Sequence, residues 1–192
     1  MVELDWYEKL RHEYRPERIR LLLVGESAPD SRGGDRRFFY SVTLSQHDNL
    51  YRGVSSALYG LDVEFDVSQK KGNLQRIKDD GVWLIDAVET PVNSQTKSAR
   101  RKVIRAAIPN LIERCRELDP SVGVLICHTV VFEEAARQLR EAGVAVLHDD
   151  ALPFPLGNCG ARFVDGVRLA LSRAEWKRGG RSHLNRTTPC GK

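Results

Sequence analysis

Arg20-Leu21-Leu22-Leu23-Val24-Gly25-Glu26-Ser27-Ala28-Pro29 decides how the chain folds. Its apolar run is short, has no helical period and ends on Gly and Pro, which marks a strand buried on both faces. Three later runs have the same character: Val82-Trp83-Leu84-Ile85, Val122-Gly123-Val124-Leu125-Ile126 and Val144-Ala145-Val146-Leu147. Helical patterns lie between them. Residues 5–14 read as a helix stopped by Pro16. Asp48 is placed to cap a helix with the stripe Leu50, Val54, Ala57 and Leu58, and residues 69–79 form a second short helix. A basic helix from about 97 to 118 is expected to bend or restart at Pro109. Thr129 is placed to cap a helix with Phe132, Ala135, Ala136 and Leu139 on one face, closed by Gly143. Phe163, Val167, Ala170 and Leu171 mark a last helix. Strands that are apolar throughout and alternate with helices predict an α/β fold: a three-layer α/β/α sandwich around a four-stranded parallel sheet.

In such a sheet, ligands bind beyond the carboxyl ends of the strands. The segments leaving those ends are 25–29, 86–93, 127–129 and 148–158. The chain has 192 residues, which suits one domain over 1–175 with a basic tail, 176–192, expected to be mobile in the free protein. The tail holds five of the Lys/Arg and no acid, so the net charge of +4 becomes −1 without it. A second basic cluster comprises Lys97, Arg100, Arg101, Lys102 and Arg105. Both clusters are candidates for phosphate contact, against the plainer reading of a solvated helix face and a loose tail. No apolar run approaches the roughly 18 residues of a membrane span, and the acidic start lacks a signal core, so a cytoplasmic protein with no membrane partner is expected. Cys115, Cys127, Cys159 and Cys190 are widely spaced, which suits free thiols better than a metal site or a disulfide framework.

Gly25-Glu26-Ser27-Ala28-Pro29 is neither a P-loop nor a dinucleotide fingerprint, because no G-K-[ST] follows and G-x-G-x-x-G is absent. Its wider context is more specific. A strand, this turn, a long polar loop and Phe38-Phe39-Tyr40-Ser41-Val42 come in order. Leu84-Ile85-Asp86 and the loop Leu152-Pro153-Phe154-Pro155-Leu156-Gly157-Asn158 follow. Over residues 18 to 172 this resembles the uracil-DNA glycosylase superfamily. The resemblance implies an enzyme that cleaves the N-glycosidic bond of a flipped-out base in DNA, leaving an abasic site. It also implies no cofactor and a monomer. Some branches hold an iron–sulfur cluster through an early C-x-x-C; here no cysteine precedes Cys115, so neither a cluster nor another metal is expected.

The residue types suit that chemistry. A flipped base needs an aromatic platform, for which Tyr40 or its neighbour Phe39 is the candidate; stacking contributes roughly 1–3 kcal/mol. Bond cleavage creates an oxocarbenium-like sugar and an anionic base, and a carboxylate can stabilise the cation or orient water. Glu26 is the acid inside the turn, with Asp30 and Asp35 as second choices, and Ser27 stands where other members have a water-activating Asp. The resemblance places Asn, the uracil reader, where this chain has Asp86. An ionised Asp only accepts hydrogen bonds, and Asp is suited to the amino group of cytosine. A cytosine-type base is therefore expected, one carrying a further distinguishing feature such as a C5 substituent. Superfamily members that attack modified bases in phage DNA would fit, which makes antiviral defence one expected setting. The alternative is that Asp86 caps the following turn and Asn93 reads the base.

In the Pro-rich loop, Pro153 and Pro155 stiffen the chain, Leu156 can wedge into a base stack, and Gly157 and Asn158 can meet phosphate. Leu152 stands where many members have His; His148 lies four residues earlier, and His128 reads as a structural hydrogen-bonder. Three rivals remain: an ordinary uracil-DNA glycosylase of base-excision repair, a glycosylase-like DNA-binding module without catalysis, and an esterase-like hydrolase using Ser27 with His128 or His148. The last lacks the closing Gly of G-x-S-x-G.

Overall fold

The computed structural model describes residues 6–29, 38–43, 48–60, 67–92 and 94–178. Among them are three strands and six α-helices: α1 (Trp6–Glu13), β1 (Leu21–Ser27), α2 (Asn49–Tyr59), α3 (Val67–Asp79), β2 (Val82–Val88), α4 (Lys97–Leu118), β3 (Gly123–Ile126), α5 (Thr129–Glu141) and α6 (Gly160–Arg173). The sheet is parallel, in the order β2-β1-β3. β1 is central, and Leu21, Leu22, Leu23 and Val24 are all 2% exposed or less, each contributing roughly 1.5–3 kcal/mol through burial. Helices α4 and α5 pack on each other and on the sheet, and α2 packs on α6. This is an α/β architecture compatible with three layers. No helix among the described residues is long and apolar enough to cross a membrane.

The expected fourth strand is the main correction. Val144-Ala145-Val146-Leu147 makes one parallel bridge, Val124 with Val146, and goes no further. Val124 N–H donates to Ala145 O at 2.8 Å and Leu147 N–H donates to Val124 O at 3.0 Å. At the next rung the acceptor for Ile126 N–H is a side chain, His148 Nε2, at 2.9 Å. The imidazole has taken the place of a strand carbonyl, so the ladder stops. Gly123 makes the approach possible: it lies at φ +141°, and a Cβ there would sit 2.6 Å from Ala145 O.

His148 is therefore a buried structural residue rather than a solvated one. Its Nδ1 lies 2.8 Å from Asp150 O, a carbonyl that can only accept, so Nδ1 carries the proton and Nε2 accepts. Burial holds its pKa below the ordinary value, with the Asp150 hydrogen bond opposing and Arg140 assisting. The neutral ring stabilises the fold above the unfolded-state pKa of about 6.5, and this contribution is lost as pH falls through the lower folded value. The unfolding midpoint is expected to drop between pH 7 and pH 5.5, and to drop less in His148→Gln. Equal slopes in urea titrations of the two proteins would show that His148 is not the group responsible.

Several boundaries also shift. β1 and β2 continue three residues past their apolar runs, pairing Gly25 with Asp86 and Ser27 with Val88, because the parallel ladder needs only backbone groups. The Gly25-Glu26-Ser27 turn thus lies inside the end of β1. Helix α4 runs through Pro109 unbroken and is capped by Thr96, whose Oγ1 accepts from Ala99 N–H. Asp48 does not cap α2 with its side chain, and His128, not Thr129, holds the N-cap position of α5. At the amino ends of the strands, Arg20 donates to Lys177 O at 2.7 Å and Arg178 lies over the Tyr59 ring. Residues 176–178, the root of the basic tail, are thereby held at the opposite end of the sheet from the segments after β1 and β3.

Candidate active site

At the carboxyl ends of β1, β2 and β3 lies a cavity of about 410 Å³. Its floor includes Gly25, Leu84, Asp86 and Cys127; Phe38, Phe39 and Phe154 give it aromatic walls; Glu26, Arg100 and His128 line it together, and Asp48 and Tyr51 contribute from the start of α2. The parallel sheet accounts for this convergence. Pairing Gly25 with Asp86 puts the two side by side, and Cys127, just past β3, adjoins them through its N–H to Val24 O.

Asp86 is buried, at 6% exposure. Arg11 of α1 donates to its Oδ2 at 2.6 Å, and Arg114 of α4 donates to its backbone carbonyl at 2.9 Å. Oδ1 lies over Gly25: a Cβ at that position would be 2.5 Å from it. Gly25 is thus required by close approach and not by a turn. Burial pushes the Asp86 carboxyl up to about 6, with Arg11 and Arg114 pulling it down and Glu8 and Glu26 pushing it up.

Glu26 is held by Arg100, whose Nε donates to Oε1 at 3.1 Å and whose Nη2 reaches both carboxylate oxygens. His128 Nε2 stands 3.9 Å from Oε1. Burial lowers the His128 pKa, against the pull of Glu26, so the ring is neutral at pH 7. Its Nδ1 is buried without a hydrogen-bond partner among the described residues. Ser27 lines the cavity, but its Oγ accepts from Val92 N–H at 3.3 Å and so ties β1 to the loop after β2. Cys127 is an inert thiol, since burial pushes it up to about 12.

Tyr40 is corrected outright as the base platform. It is 0% exposed, stacks on Tyr14 at 5.8 Å, and its hydroxyl accepts from Leu84 N–H at 2.6 Å. It braces the core behind the cavity. Phe39 does line the cavity, backed by Tyr40 and Tyr51, and Phe38 joins it. Asn93, Asp30 and Asp35 lie outside the described residues. Arg101 is engaged by Glu133 and Glu134, and Arg105 by Glu134, so α5 neutralises much of the basic cluster on α4.

The Pro-rich loop divides by position. Leu152 is buried, and its carbonyl accepts from Thr129 Oγ1 at 3.1 Å. Phe154 reaches the cavity, with its ring 5.8 Å from that of His128. Pro153 is half-buried and Pro155 buried, whereas Leu156, Gly157 and Asn158 are exposed. Leu156, at 61% exposure, stands two residues from the cavity wall. His128, expected as a structural hydrogen-bonder or as the partner of Ser27 in a hydrolase, and Phe154 of the Pro-rich loop both line the cavity, whereas Arg11 carries no local sequence signal at all. No protein-family model, no curated protein and no solved structure matches the chain.

Proposed function

We propose that the protein is a DNA glycosylase of the uracil-DNA glycosylase type, acting on a cytosine-type base. One observation carries the reading: a buried acceptor, Asp86, faces the same cavity as aromatic walls and a Glu26–His128 pair at 3.9 Å. A flipped base stacks on Phe39 or Phe38 and offers its amino edge to Asp86 Oδ1. Glu26 then stabilises the cationic sugar and orients water on C1′. The C1′–N bond breaks with its electron pair going to the base, water supplies the new C–O bond, and the released proton ends on the base. The neutral His128 is placed to hydrogen-bond the departing base. Leu156 is the exposed apolar group suited to filling the vacated stack.

A second reading, a DNA-binding module without catalysis, is favoured by Arg100, which engages both oxygens of Glu26. Abasic-site formation on matched DNAs carrying uracil, cytosine or C5-substituted cytosines separates the two. Release of a cytosine derivative but not uracil is the expected result. Release of uracil alone would keep the chemistry and discard the role of Asp86. Binding with no release from any DNA would establish the module.

A further inference from the structure

α1 touches the site twice. Tyr7 donates its hydroxyl to Pro29 O, just past β1, and Arg11 donates to Asp86 Oδ2, in β2. Arg11 is 6% exposed, braced by Glu8 on its own helix and by the Phe38 ring, 5.5 Å from its guanidinium carbon. Trp83 Nε1–H donates to Arg11 O at 3.2 Å, so the backbone of α1 is fixed to β2 beside the pair. Nothing about holding α1 on the sheet requires a charge here: an apolar contact would serve at lower desolvation cost. What the ion pair does that an apolar contact cannot is occupy one oxygen of Asp86 and leave the other over Gly25, at the cavity.

We infer that Arg11 is the positioning residue that sets the polarity of the reading edge: by holding Oδ2 of Asp86 it makes that carboxylate an acceptor only, so that the cavity takes a base edge presenting an amino group and refuses one presenting a carbonyl. The inference rests on the reading of Asp86 as the base-contacting group. Charge around Asp86 supports it. Glu8 from α1 and Glu26 from β1 both oppose ionisation, and burial opposes it most; Arg11 is the largest favourable influence, ahead of Arg114 from α4. Removing Arg11 shifts the balance at Asp86 toward the protonated carboxyl. A protonated carboxyl both donates and accepts, as the amide of Asn does, and so matches a carbonyl-bearing edge.

The test uses the full chain as Arg11→Met, Arg11→Lys and Asp86→Asn. It combines a ¹³C NMR titration of the Asp86 carboxyl with abasic-site release from DNA carrying either a cytosine-type or a uracil-type base. Arg11→Met is expected to move the Asp86 titration upward from about 6 by a unit or more. The same change should lower the cytosine-to-uracil release ratio at pH 7 by roughly tenfold or more. Arg11→Lys, which keeps the charge, should restore most of both. An unmoved titration, or a shifted titration with an unchanged release ratio, overturns the inference and leaves Arg11 as a staple for α1. Failure of the underlying reading looks different: Asp86→Asn itself would leave the release ratio unchanged. Should Arg11→Met not fold, the titration and ratio of Arg11→Gln, which keeps a hydrogen-bond donor but no charge, decide in the same way.

Discussion

Glu26→Gln is expected to slow base release by about 10²–10⁴-fold in single-turnover assays while the protein keeps its unfolding midpoint within a few degrees. The substitution keeps shape and one acceptor for Arg100, so the hold between β1 and α4 survives in part. In the proposed reaction, what it removes is the negative charge that would face the cationic sugar. A glutamine carbonyl cannot match a carboxylate there, and it cannot take a proton from water. His128 does not replace the lost charge, because an imidazole is neutral or cationic and so offers no negative charge to a cationic sugar. Affinity for DNA should change little or rise, since Arg100 keeps its contact to the side chain at position 26 while its charge is no longer compensated by a carboxylate. Release that persists within a few-fold of wild type would remove Glu26 from the chemistry.

The sheet was legible because its strands are continuous apolar runs bounded by Gly and Pro. Three of the four runs pair as the pattern implies. The fourth misled for a physical reason: 144–147 is apolar enough for a strand, but side-chain acceptors such as His148 Nε2 are invisible to a hydropathy pattern. The site was half legible. Gly25, Glu26 and Asp86 follow from their places at strand ends, and Phe39 from its neighbourhood. Phe38-Phe39-Tyr40 gives three aromatics in a row, and Tyr40 turns away from the cavity that Phe38 and Phe39 line because its hydroxyl finds a partner 44 residues away at Leu84. Arg11 could not have been found: in sequence it is one of several charges on a short helix, and its partner lies 75 residues on. The basic cluster of α4 shows the converse error. Charge counted along one helix says nothing of the acids on the helix packed against it, and Glu133 and Glu134 of α5 take up Arg101 and Arg105.

Lys70→Ala is expected to destabilise the protein by roughly 3–5 kcal/mol, the largest single effect on stability. Lys70 is fully buried on α3, yet its ammonium has company on all sides: Asp48 Oδ2 at 2.9 Å, the carbonyls of Thr43 and Phe38 at 3.4 and 3.5 Å, and the Tyr51 ring at 4.6 Å. Truncation would leave a buried Asp48 carboxylate without its ammonium counter-ion and open a cavity the length of the lost side chain. Burial already lowers the Lys70 pKa despite Asp48, so the pair is held at a cost and is poor evidence for stability as such. Its position suggests what it does instead. Lys70 joins α3 to both ends of the segment 38–43 and to the start of α2, which together carry Phe38, Phe39 and Asp48 into the cavity. The double variant Lys70→Met with Asp48→Asn removes both charges and keeps most of the volume, so it should recover the larger part of the lost stability. Base release should not recover with it, because the aromatic wall has lost the ammonium that gathered its carbonyls. Urea unfolding of the single and double variants, with release measured on each folded protein, reads both quantities. Recovery of stability and release together would make the pair a replaceable piece of core, and stability unaltered in Lys70→Ala would mean that Asp48 finds other compensation in the fold.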